Sequence, residues 1–131
     1  MSRSARPVYL NLFKLRLPIP GVVSFLHRVS GVLLVLFIPV SILVLERSLS
    51  GPSGYAQVQD WLGHPLGALL ALLFLWSLVH HLLAGIRFLL LDLDIAIEAR
   101  PARVTAWVVL VAAVLLAALL ALKWLAAGWF A

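Results

Sequence analysis

The sequence contains no cysteine, and only five of its 131 residues are acidic. Without cysteine the chain cannot form a disulfide, hold an iron–sulfur cluster through thiolates or build a cysteine zinc site from its own residues. Charge of either sign is scarce. Asp, Glu, Lys and Arg make up 11% of the chain, where a soluble domain carries about 25%. The polar segments are too short to build a soluble catalytic domain. No phosphate-binding glycine loop, nucleophile triad or His-Glu-x-x-His metal motif occurs.

What is present is hydrocarbon. Hydrophobic residues make up 64% of the chain, gathered in three long runs at about 21–45, 65–91 and 102–122. Each is long enough to cross a core of ~30 Å at ~1.5 Å per residue. The expectation is an all-α membrane protein: a polar, basic arm over 1–19, then a three-helix transmembrane domain over 20–131. The first run exceeds the roughly 7–15 residues of a signal-peptide apolar region, so that helix is expected to be retained. Pro39 falls inside it and is expected to kink it. Gly51-Pro52-Ser53-Gly54 in the first loop reads as a turn, with a short surface helix over 56–62. The third span has no ionisable residue between Arg103 and Lys123. Its alanines suit close helix packing, and Trp124 and Trp129 suit the membrane interface.

The net charge of +5 follows topology rather than a nucleic acid. Arg3, Arg6, Lys14 and Arg16 lie in the arm, and Arg100 and Arg103 in the second loop, with Arg87 just inside it. Arg47 and Lys123 stand alone at the opposite ends. This asymmetry predicts a cytoplasmic N-terminus and a C-terminus on the far side.

Ionisable groups inside apolar spans are functional candidates, because hydrocarbon makes them costly. The stretch from Ser77 to Arg87 carries His80, His81 and Arg87. His81 and Gly85 are four residues apart, on one face, with Ser77 one turn before. A histidine beside small residues leaves room for a flat group, and imidazole is an axial ligand of haem iron. An interhelical hydrogen bond is the other reading of His81. His80 lies on a different stripe with Ala84 and Arg87, where a packing role is favoured. In the first span Ser24, His27, Arg28 and Gly31 recur at i, i+3, i+4 and i+7 and form one polar stripe. His27 lies ~10 Å inside the span and His81 ~16 Å from the second loop. A haem on His81 could therefore turn its propionates toward His27 and Arg28. Arg28 is too deep to reach water easily and calls for a partner, whereas Arg87 is close enough to the end to snorkel. His64 reads as interfacial, and Gly31 and Gly85 as helix-packing contacts.

Two stretches carry a resemblance. Ser24-Phe25-Leu26-His27-Arg28-Val29-Ser30-Gly31 is similar to the S-x-x-H-R-x-S-G motif of the cytochrome b subunit of succinate dehydrogenase. His81-Leu82-Leu83-Ala84-Gly85-Ile86-Arg87, with Asp92 beyond it, resembles that family's H-x-x-x-G-I-R-H-x-x-x-D motif. Arg6-Pro7-Val8-Tyr9-Leu10-Asn11-Leu12 resembles its R-P-x-x-L-x-L start. The likeness runs the length of the chain. It implies half of a heterodimeric anchor bundle in a bacterial inner membrane, multi-pass, with a periplasmic C-terminus. It implies that His81 is an axial ligand of haem b and that His27 and Arg28 contact the haem propionates. It implies that Ser24 and Arg28 line the ubiquinone pocket. The implied partners are a second three-helix anchor subunit supplying the other haem ligand, an iron–sulfur subunit and a flavoprotein subunit that oxidises succinate. One departure stands out: Phe88 occupies the position of the family's histidine after Gly-Ile-Arg. A fumarate reductase anchor working in reverse is a related reading. A non-redox scaffold or transporter subunit is the reading from a different class.

Overall fold

The computed structural model describes residues 17–126, apart from the side chain of residue 125. Residues 1–16 of the basic arm, and Trp129, lie outside the described residues. Within them are four helices and no strand: α1 (Ile19–Leu49), α2 (Pro52–Gly63), α3 (Pro65–Asp92) and α4 (Ala99–Ala126). The three long ones are apolar and long enough to cross a membrane. α1, at 31 residues, measures about 46 Å at 1.5 Å per residue. It continues through Pro39 without interruption.

Proline sets where these helices begin. Pro20, Pro52 and Pro65 stand in the first turns of α1, α2 and α3, and Pro101 in that of α4. The missing N–H costs nothing there, and the fixed φ suits a helix start. This is why the turn expected over 51–54 contracts to Ser50 and Gly51. Gly51 adopts φ 116°, a conformation open to glycine, and Pro52 immediately starts α2. Glu46, Arg47 and Ser48, expected in the loop, are the last turn of α1. Arg47 ties α2 back by donating from Nε to Gln57 Oε1 at 2.8 Å. His64 links α2 to α3 and caps the latter: its Nδ1 accepts from the Leu66 N–H at 3.3 Å. That is a specific task beyond the interfacial placement expected of it.

α3 is the central element, packed along α1 on one side and α4 on the other. Its buried stripe is Ser77, His80, Ala84 and Arg87. Ala84 and Ala106 are fully buried beside Val23 and Val109, and such small side chains let helices approach closely. Most apolar side chains of α1 beyond Gly31 face outward, Val35 and Leu36 among them, as a lipid- or subunit-facing surface requires. Arg87 does not snorkel. It is 5% exposed and points at the start of α4, donating to Thr105 Oγ1 at 3.1 Å and to the Ala102 carbonyl at 3.0 Å.

Candidate functional site: a stacked histidine pair between α1 and α3

His27, Ser30 and Gly31 of α1 meet His81 of α3 across the interface between those helices, while Arg28 of the same polar stripe turns to the exposed side. The rings of His27 and His81 stack with centroids 4.1 Å apart and planes 8° from parallel. They therefore lie at one level, nearer in depth than counting from the span ends suggests. Phe88 closes the stack by presenting its ring edge-on to His27 at 5.2 Å. At the position where the resembling family carries histidine, this chain thus has an aromatic wall.

The hydrogen bonds around His81 determine which nitrogen carries the proton. Its Nδ1 lies 3.1 Å from the His27 main-chain carbonyl. A carbonyl can only accept, so Nδ1 must bear the hydrogen, and Nε2 is left with the lone pair that binds metals. Ser30 Oγ completes the arrangement, donating to the same carbonyl at 2.9 Å and lying 3.3 Å from Nδ1. Gly31 supplies the space. A Cβ built there would stand 3.0 Å from His81 Cε1, closer than packed carbons approach. Gly85 faces His27 more loosely, with its built Cβ 3.6 Å from Nε2.

Beyond the stack, His81 opens onto a groove of about 480 Å³ that also takes in Gly31, Leu34, Ile38, Phe74 and Leu78. Its walls are almost wholly apolar and its outer side is open. Among the described residues no three His, Cys, Asp or Glu side chains come together. His27 cannot serve as a second ligand to a metal held by His81. An imidazole nitrogen would hold a metal within its own ring plane, and these two planes are stacked nearly parallel. An available Nε2 lone pair on His81, an apolar groove and the space at Gly31 fit what a planar macrocycle would need from an imidazole donor.

Of the other candidates, Arg28 lies on the exposed side of α1 and Ser24 is half-buried on the same helix. His80 is separate from the pair: it is 1% exposed and stacks on Trp76 with centroids 5.2 Å apart. Its Nε2 and the Ser77 hydroxyl are buried without a hydrogen-bond partner among the described residues. Sequence reasoning gave Ser30 no role, and it gave Gly31 a general packing one. The signal was present in their adjacency, since a serine at i+3 from His27 can reach that residue's carbonyl.

Comparison with known proteins decides the family. A family model described as the succinate dehydrogenase/fumarate reductase transmembrane subunit matches residues 2–120. The chain belongs to this family. Its relatives include the succinate dehydrogenase cytochrome b556 subunit of Coxiella burnetii, 33% identical over 107 residues, which cover 81% of this chain and 86% of that one. The subunit of the same name from Paracoccus denitrificans is 30% identical over 120 residues, covering 91% and 92%. Both relatives are named as b-type cytochromes, subunits of an enzyme complex. The bundle described above is thus a transmembrane subunit of the succinate dehydrogenase/fumarate reductase family, and its three apolar helices fit a multi-pass membrane protein.

Proposed function

We propose that this chain is the haem b- and quinone-binding anchor of a succinate dehydrogenase, passing electrons from succinate oxidation to ubiquinone. The observation that carries the reading is His81 itself: its Nδ1 is held by the His27 carbonyl, which leaves the Nε2 lone pair available, its ring packs on Gly31, and the residue lines an open apolar groove. In this reading His81 would hold the haem iron, and a companion three-helix subunit covering the groove would supply the second ligand. When bound, the haem supplies a one-electron carrier inside the membrane. His27 and Arg28 lie toward the end of the bundle where α1 begins and meet the propionates; a guanidinium pairs with carboxylates through charge-assisted hydrogen bonds. Ser24 and Arg28 donate to the quinone carbonyl oxygens and favour the negative charge that builds on them during reduction. Succinate loses two electrons and two protons on the flavoprotein subunit, the iron–sulfur subunit conducts the electrons, and ubiquinone takes up two electrons and two protons. No succinate chemistry resides in this chain. The basic arm supports a cytoplasmic N-terminus in a bacterial inner membrane, with the quinone end on that side and the C-terminus periplasmic.

The quinone half of this proposal has its own test. In the complex purified through this subunit, Arg28→Leu lowers succinate:ubiquinone reductase activity at least tenfold, while succinate oxidation by a soluble dye stays at the wild-type rate. Equal loss of both activities would make Arg28 a structural residue and contradict the assignment.

A further inference from the structure

The hydrogen bonds at His81 involve Ser30, a fixed position of the sequence motif to which the proposed function gives no role. Ser30 is fully buried, so no bulk water competes for its hydroxyl. The hydroxyl has one hydrogen and places it on the His27 carbonyl. What it offers His81 Nδ1 at 3.3 Å is therefore a lone pair. The Nδ1–H faces two acceptors at once, the carbonyl and the hydroxyl, and these two are bonded to each other. Turning the ring over would replace Nδ1 with a carbon and forfeit both contacts. The ring edge also lies close against the bare Cα of Gly31, where an added Cβ would stand 3.0 Å from Cε1.

We propose that Ser30, seconded by Gly31, is a positioning residue for His81: it holds the ring in one orientation and one tautomer and raises the basicity of its free Nε2. Acceptors on the far nitrogen of a ligating imidazole make it more electron-donating, and such outer contacts tune the metal. The negative end of the Ser30 hydroxyl dipole faces the imidazole N–H and so favours the more positively charged, oxidised iron. This inference rests on the assignment of His81 as ligand. A serine merely bonded back to its own helix, a common arrangement, would leave the haem indifferent.

The test is a redox titration and an electron paramagnetic resonance spectrum of the ferric haem in the purified complex carrying Ser30→Ala. The midpoint potential is expected to move to a more positive value and the low-spin signal to shift, with haem still bound. A potential and a signal identical to wild type would overturn the proposal. Should Ser30→Ala fail to assemble, Ser30→Cys keeps nearly the same volume with a weak donor and acceptor and must shift both readouts in the same direction; wild-type values there would overturn the proposal equally. His81→Ala separates the two layers of the argument. If that variant keeps the wild-type haem spectrum, the ligand assignment fails. If the haem depends on His81 but ignores Ser30→Ala, only the positioning role fails.

Discussion

His81 and Gly31 interlock at atomic distances, and the other glycine of the site is the natural contrast. An alanine at position 31 would put a carbon 3.0 Å from His81 Cε1, so the ring or the helix must move. An alanine at position 85 would meet His27 Nε2 at 3.6 Å, an ordinary contact. Gly31→Ala is therefore expected to lower the haem content of the purified complex several-fold, and Gly85→Ala to leave it near wild type, both read from the absorbance ratio of haem to protein. Similar losses in the two variants would show that helix approach, and not the seat of the imidazole, is what the glycines serve. The spacing of residues gave away His27 and His81 because ionisable groups in hydrocarbon are conspicuous. It could not distinguish a stacked pair from two separate groups, since the rotation of each helix about its axis depends on packing. Arg87 shows the same limit. Counting residues placed it within reach of water, but Thr105 and the Ala102 carbonyl on a different helix draw it inward.

Helix existence was easier to read than helix ends. The three spans follow from long apolar runs, and each observed helix extends beyond its apolar run because polar residues such as Glu46 and Arg47 continue the turns at no cost outside the hydrocarbon. The first connection was misjudged at Gly51 and Pro52, where one glycine makes the reversal and the proline already belongs to α2. The second connection carries a strain that composition does not reveal. Ala96 sits at φ 61° in the left-handed region, which disfavours a Cβ by about 1–2 kcal/mol. Asp94 has φ 60°, but its side chain tolerates that region better. Ala96→Gly removes the Cβ and is expected to stabilise the subunit by about 0.5–1 kcal/mol after the added freedom of the unfolded chain is counted. A higher unfolding midpoint of the solubilised complex would bear this out, and a lower one would mean that Ala96 is held in place by contacts that outweigh its strain.

On the scale of the whole molecule, the bundle is asymmetric. α3 is covered on both sides and α1 is mostly bare, and the groove beside His81 lacks an outer wall. The open side of this groove is the face that the second membrane subunit of the proposal would cover. The resemblance of the two motifs already implied such a partner, but one side of a shared pocket cannot display the geometry of the other. The account therefore depends most on His81 being the contribution of this chain to the haem. The measurement is the reduced-minus-oxidised visible spectrum of the complex purified through this subunit, wild type against His81→Ala. The account predicts a low-spin b-type haem signal in wild type that is lost or altered in the variant. A wild-type signal that survives the substitution unchanged would contradict it and place the ligand on another residue.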